Sequence, residues 1–169
     1  RYGGFVEKFY HYWSGIDTDE TATRALRLCK EKSVDVVYVD GTSWGSSVAP
    51  SIARRARDSD TDLRAVGVKV ASAPEDFLKV EMGEFLQLRD QLYWAIRKWL
   101  KEDETAMLPP DPYLIEELLA LEYIVTNRGK IKIVDKDKLR KILRRSPNKA
   151  DALALTFSPY ERAKILTLG

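Results

Sequence analysis

Residues 34–45 read Val34-Asp35-Val36-Val37-Tyr38-Val39-Asp40-Gly41-Thr42-Ser43-Trp44-Gly45. The first six are a short, β-branched run of the kind that forms a strand covered on both faces, as in an α/β sheet. Asp40 ends that run. The Gly, Thr and Ser of residues 41–45 make a loop, and a helix is predicted to follow to about residue 57. Upstream, Asp17-Thr18 can cap a helix running to about residue 32, with Ala22, Ala25, Leu26 and Cys29 as its apolar stripe. Further upstream, Gly3-Gly4 reads as a turn. Residues 5–13 alternate Phe5, Glu7, Phe9, His11, Trp13 against Val6, Lys8, Tyr10, Tyr12, which predicts a strand and the second half of a hairpin. Downstream, residues 65–70 predict another strand, and residues 81–100 a long helix carrying Phe85, Leu88, Leu92, Trp94, Ile96 and Trp99. Pro109-Pro110 breaks the chain, and a helix over residues 111–121 follows with Pro112 in its first turn. Tyr123-Ile124-Val125 and residues 130–134 flank Asn127-Arg128-Gly129, a hairpin signature. A basic helix is predicted over residues 136–144. A last helix follows, with Ser146 as its cap and Pro147 in its first turn. With no internal repeat, low-complexity tract or linker, the reading is one α/β domain over residues 1–169.

Composition fits that reading. The chain has 169 residues, 44% apolar and 32% charged, enough to bury a core while staying soluble. No run of about 20 apolar residues argues for a membrane span, and there is no signal-peptide core. Cys29 is the only cysteine and His11 the only histidine, so neither a disulfide nor a CxxC metal knuckle is available. An intracellular, reducing setting is expected. The net charge of +2 is too small to announce nucleic acid by itself.

Two carboxylates stand out. Asp40 lies at the carboxyl end of an apolar strand, where ligands bind in open α/β sheets, although an Asp there also serves to cap the next turn. Asp151 lies inside Ala150-Asp151-Ala152-Leu153-Ala154-Leu155, where a carboxylate needs a cation or donors unless it faces solvent. Just before it come Lys136, Lys138, Arg140, Lys141, Arg144, Arg145 and Lys149, opposed only by Asp135 and Asp137. Such a run is either a solvated helix face or a phosphate-contacting surface beside an acidic centre. Metal-dependent phosphodiester chemistry needs that juxtaposition, because carboxylates hold Mg²⁺ or Mn²⁺ while basic residues hold the nucleic-acid backbone. Trp13, Trp94, Trp99 and Cys29 read as core by their periodicity.

The run Arg145-Ser146-Pro147-Asn148-Lys149-Ala150-Asp151-Ala152-Leu153 resembles the closing motif, roughly R-S-P-D-x-A-D-A-L, of the nuclease domain of the large terminase subunit of tailed bacteriophages. Val37-Tyr38-Val39-Asp40-Gly41-Thr42-Ser43-Trp44-Gly45 is similar to that family's V-D-G-x-G-x-G motif. Asn148 stands where an Asp is common, and Trp44 near one of the usual glycines. The order of Trp13-Ser14-Gly15, the helix start at residues 18–24, Arg89, Leu108-Pro109 and Gly129-Lys130-Ile131 also fits, so the resemblance spans essentially the whole chain.

The resemblance implies a ribonuclease H-like mixed sheet flanked by helices, with an additional hairpin near the C-terminal part. It implies an endonuclease domain that cuts concatemeric double-stranded viral DNA during genome packaging by two-metal-ion hydrolysis. Asp40 and Asp151 would be catalytic metal ligands for two Mg²⁺ or Mn²⁺ ions. Lys136, Lys138, Arg140, Arg144, Arg145 and Lys149 would contact DNA, with Lys136 nearest the scissile phosphate. The partners implied are double-stranded DNA, a terminase ATPase domain, the small terminase subunit and the portal, in the cytoplasm of an infected bacterial host and away from membranes. The family's first catalytic Asp lies on a strand preceding the Gly3-Gly4 turn, so the expectation is an N-terminally incomplete domain whose first strands are missing. No GxxxxGK[ST] pattern is present, so no ATPase domain is expected within these residues. Two other readings stay open: a catalytically incomplete DNA-binding or assembly module of the packaging motor, and a resolvase-type nuclease of the same fold.

Overall fold

A computed structural model describes residues 1, 3–8, 11–42 and 45–159. Ser43 and Trp44 of the predicted loop, Phe9 and Tyr10 of the predicted first strand, and the tail from residue 160 lie outside the described residues. The elements run α1 (Thr18–Glu31), β1 (Val36–Asp40), α2 (Gly45–Asp58), β2 (Arg64–Val68), α3 (Leu88–Glu102), α4 (Pro112–Leu119), β3 (Tyr123–Val125), β4 (Ile131–Ile133), α5 (Lys136–Leu143) and α6 (Asn148–Leu155).

Asp17 caps α1 as expected, its Oδ1 accepting the Glu20 amide at 2.7 Å. β1, α2 and β2 form a βαβ unit. The two strands pair in parallel, from Val36 opposite Arg64 to Asp40 opposite Val68. Side chains alternate along a strand, so β1 serves two layers. Val37 and Val39 pack with Ala22, Leu26, Cys29, Ile52 and Ala56 of α1 and α2. Tyr38 packs on the other side, with Val68 and the stripe of α3 that carries Leu88, Leu92, Tyr93, Ile96 and Trp99. The backbone alternates too. The Arg64 amide donates to the Asp35 carbonyl and the Gly41 amide to the Val68 carbonyl, so the peptide groups of Asp35, Val37, Val39 and Gly41 face β2. Those of Val36, Tyr38 and Asp40 face the opposite edge. A groove of about 470 Å³ runs there, lined by Val6, Val36, Tyr38, Leu114 and Leu153 among others.

Three expectations need correction. The strand over residues 5–13 does not form among the described residues. Phe5 makes one isolated parallel bridge to Met107, with the Val6 amide on the Met107 carbonyl at 2.9 Å. Tyr12 is 85% exposed, so no facing layer rewards the alternation. The long helix starts at Leu88 rather than near residue 81, because residues 84–86 pair with the hairpin instead. Ile131 donates to the Glu84 carbonyl at 2.7 Å and Leu86 to the Ile131 carbonyl at 2.9 Å. The mixed sheet is, among the described residues, two separate two-stranded pairings, β1–β2 parallel and β3–β4 antiparallel.

The hairpin itself forms as predicted, with Tyr123 opposite Ile133. Buried Asp90 bolts it to α3, accepting the Ile133 amide at 2.8 Å and the Gln87 amide at 3.0 Å. Trp94 and Trp99 are core residues, as expected, Trp94 meeting Phe85 and Tyr123 edge-on. Trp13 is half-buried.

Gly45, at the start of α2, packs directly against the end of β1. A Cβ on Gly45 would lie within bonding range of the Asp40 carbonyl oxygen, far inside van der Waals contact. Gly45→Ala is therefore expected to cost about 2 kcal/mol or more. That is a fall of about 5 °C in Tm for a chain of this size, measurable by circular dichroism melting.

Candidate active site

Asp40 and Asp151, far apart in sequence, line one cavity of about 400 Å³ together with Arg89, Tyr93, Lys136 and Asn148. The cavity opens at the carboxyl ends of the parallel strands, where the βαβ unit leaves room for a ligand. Asp40 is exposed at the end of β1. Its Oδ1 accepts the Thr42 amide at 3.0 Å and the Thr42 hydroxyl at 2.7 Å, a side-chain turn that fixes its rotamer. Asp151 is about one-quarter exposed and holds two donors. Tyr93 Oη donates to Oδ1 at 2.6 Å, and the Lys136 ammonium meets Oδ2 at 2.5 Å. Burial first, and then the neighbouring Asp151 charge, push the Tyr93 hydroxyl far above its ordinary ionisation range. Tyr93 therefore donates to Asp151.

The helix that carries Asp151 is not capped as the sequence suggests. Pro147 occupies the cap position, and the Ser146 hydroxyl is engaged by Arg140 Nε at 3.1 Å. The cap comes from α4 instead. Glu117, 2% exposed, places Oε2 on the Lys149 amide at 2.9 Å and the Ala150 amide at 2.8 Å. The first-turn amides of α6 are thus satisfied across a helix–helix contact. Burial raises the Glu117 pKa, and the two amides and Arg145 oppose that shift. Two further ion pairs close the same contact. Lys149 Nζ reaches Asp111 at 2.7 Å, and Arg145 reaches Glu116 at 2.7 Å while its guanidinium lies over the Tyr113 ring.

The six basic residues singled out in the sequence therefore divide. Lys136 is in the cavity. Lys138, with Glu122, and Arg140, with Asp137, lie on the exposed side of α5, and exposed Arg144 ends that helix in a left-handed conformation. Arg145 and Lys149 turn toward α4. Sequence reasoning missed Tyr93 and Glu117, and used Arg89 only as a matching position. The spacing of Arg89 and Tyr93, one helical turn apart, was the available signal.

Among the described residues no group of three or more His, Cys, Asp or Glu side chains could hold a metal. The donor set is two carboxylates. That set fits a hydrated Mg²⁺ or Mn²⁺, hard cations that take one or two carboxylates and keep several waters. The Lys136 ammonium against Asp151 marks the place where a positive charge is welcome.

No protein-family model matches the chain, and no curated protein matches it. Solved structures do. The nuclease domain of the large terminase subunit gp2 of bacterial virus Sf6 superposes with a TM-score of 0.65 at 22% identity, over 86% of this chain and 74% of that one. The chain has the fold of a terminase nuclease domain. A lysine-to-alanine mutant of the Sf6 domain with manganese gives a TM-score of 0.63 at 22% identity, over 83% of this chain and 73% of that one. The same mutant with calcium gives 0.63 at 22% identity, over 83% and 72%. The likeness is one of fold, an α/β arrangement with a small parallel sheet and a β-hairpin.

The α4–α6 clamp makes two testable statements. Lys149 holds the buried Asp111 carboxyl below the ordinary carboxylate range, with the Leu114 amide assisting. A depressed folded pKa gives stability that is complete above the unfolded value of about 3.9 and disappears as the pH falls through the folded one. Asp111→Asn keeps the helix cap and loses the ion pair. Its stability deficit in urea unfolding should thus be present at pH 7 and vanish near pH 2. Glu117→Ala strands two amides and is expected to cost about 2 kcal/mol in the same assay at pH 7.

Proposed function

We propose that this chain is the nuclease domain of a large terminase subunit, a metal-dependent endonuclease that cuts concatemeric double-stranded DNA during viral genome packaging. The observation that carries the reading is the convergence of Asp40, Asp151 and Lys136 on one cavity at the strand ends. The fold shared with the Sf6 domain supports it.

In this reading Asp40 and Asp151 hold Mg²⁺ or Mn²⁺ and are the catalytic acids. When bound, the cations supply an activated water and charge stabilisation for the leaving oxygen. The chain's own residues do the rest. Thr42 keeps one Asp40 oxygen occupied and the other turned outward. At Asp151, Tyr93 holds one oxygen and the Lys136 ammonium the other, so a cation there would take the place of the ammonium. Lys136 brings a positive charge beside the carboxylates, where it can receive a phosphate oxygen of the substrate. Lys138, Arg140 and Arg144 offer exposed charge along α5 for the neighbouring phosphates. Arg145 and Lys149, less exposed and paired with Glu116 and Asp111, also fix α6. A second ion needs a third carboxylate. The outer edge of β1, with the Val36, Tyr38 and Asp40 peptide groups turned to it and a groove alongside, suits a further strand that would deliver one next to Asp40. We place the domain beside a packaging ATPase, a small terminase subunit and a portal, in the cytoplasm of an infected bacterial cell. No helix among the described residues is long and apolar enough to cross a membrane.

A DNA-binding or assembly module of the packaging motor is the second reading, favoured by there being two carboxylates among the described residues of the site. The test is Mn²⁺ calorimetry together with nicking of supercoiled plasmid by the full-length protein. Micromolar Mn²⁺ binding is expected, lost in Asp40→Ala and Asp151→Ala, with nicking reduced at least about 1,000-fold in each. Undiminished cutting by Asp151→Ala would overturn the nuclease assignment. Cation binding without cutting favours the module.

A further inference from the structure

The hydrogen bonds around β3 fix which of its peptide groups are spent. Its register on β4 sets Tyr123 opposite Ile133, Ile124 opposite Lys132 and Val125 opposite Ile131. At the two ends of that ladder the Thr126 amide donates to the Lys130 carbonyl at 2.8 Å and the Val134 amide to the Glu122 carbonyl at 2.9 Å. Antiparallel pairs alternate between bonded and unbonded, so Ile124 bonds to Lys132 while Tyr123 and Val125 do not bond to β4. The amides opposite them are engaged elsewhere, Ile131 with the Glu84 carbonyl at 2.7 Å and Ile133 with the Asp90 carboxylate at 2.8 Å. The peptide groups of Tyr123 and Val125 therefore face the outer edge of β3, where no described strand meets them.

Edge strands are ordinarily blunted by a Lys, a Pro or a bulge. Glu122-Tyr123-Ile124-Val125-Thr126 has none of these. Its one charge, Glu122, is matched by Lys138 at 2.9 Å. Tyr123, Ile124 and Val125 are 44%, 56% and 51% exposed. An aromatic and β-branched edge with open donors and acceptors is a template for another strand.

We propose that this edge pairs antiparallel with β3 of a second copy of the chain, about a twofold axis at Ile124. The register is self-complementary. Tyr123 falls opposite Val125 of the second copy, and these are the residues whose peptide groups face outward, so each such pair exchanges both main-chain bonds. Each is also an aromatic side chain against a β-branched one, a favourable cross-strand pair. Ile124 meets its own twin, and Glu122 falls opposite Thr126, so no like charges face each other. Residues 84–86, β4 and β3 of both copies then form one continuous sheet. The contact is short, which places the dimer in the weak, concentration-dependent class. The inference is independent of the nuclease reading.

The test uses single cysteines. Across an unbonded antiparallel pair the Cα atoms lie about 4.5 Å apart, within the span of a disulfide. Ile124→Cys should therefore give a disulfide-linked dimer under mild oxidation. Asn127→Cys, exposed in the hairpin turn, would sit about 20 Å from its twin in this register and should give at least about tenfold less. Native Cys29 is buried, so wild type should remain unlinked. In sedimentation velocity, wild type should self-associate as its concentration rises. Val125→Pro removes an outward amide and leaves the β4 ladder intact, so it should stay monomeric with an unchanged melting curve. Equal linking of Ile124→Cys and Asn127→Cys, or a wild type that stays monomeric at its highest soluble concentration, overturns the proposal. The cysteine comparison decides alone if Val125→Pro does not fold.

Discussion

The start of α6 lacks a capping side chain of its own, and its first-turn amides must be met by another part of the chain. Glu117 meets them from α4, buried to 2% exposure, and the pairs Asp111–Lys149 and Glu116–Arg145 hold the two helices in the one orientation that allows it. Asp151 is one residue beyond the capped amides. Its direction into the cavity therefore depends on α4, an element that contributes nothing to the cavity wall except through this clamp. Buried ionic groups are a weak source of net stability, because desolvation consumes most of the attraction. What they confer here is definition, since a helix start held by three charged contacts has little freedom to rotate.

α3 is the second organising element. Its apolar stripe fills the main core, Asp90 bolts it to the hairpin, and Arg89 and Tyr93 reach from its first turns to the site. One helix thus couples packing, hairpin position and carboxylate orientation. Burial and the neighbouring carboxylate raise the Tyr93 hydroxyl above its ordinary ionisation range, which suits this role. It donates to Asp151 without bringing a charge of its own.

Local patterns were legible where the local physics decides. The Asp17 cap, the VDVVYV strand with Asp40 at its end, the hairpin around Asn127-Arg128-Gly129 and the basic helix all formed where the residues said they would, within a residue or two. The errors arose where a partner elsewhere in the chain decides. Residues 5–13 have the alternation of a strand but meet no layer that buries it. Residues 84–86 have helical spacing but are claimed by Ile131. Ser146 has the chemistry of a cap but is held by Arg140, leaving the amides to Glu117. In the cavity, Asp40 and Asp151 stood out as carboxylates beside apolar residues, while Lys136 was marked out from its basic neighbours only by the resemblance. Tyr93 was not, because its apolar ring sits in a core stripe and only its hydroxyl reaches the acid. Arg145 and Lys149 looked like surface charge, since nothing local announces that their partners lie on a preceding helix.

The two-layer use of β1 bears on how sequences of this kind diverge. Val37 and Val39 feed one core and Tyr38 the other, while the peptide groups of the same residues alternate between β2 and the open edge. Gain or loss of a single residue ahead of Asp40 would exchange the layers, reverse the hydrogen-bonding sides and turn the carboxylate away from the cavity. Exchange of one β-branched residue for another would do none of this. The fold thus constrains the spacing ahead of Asp40 far more tightly than the identity of the β-branched residues within it.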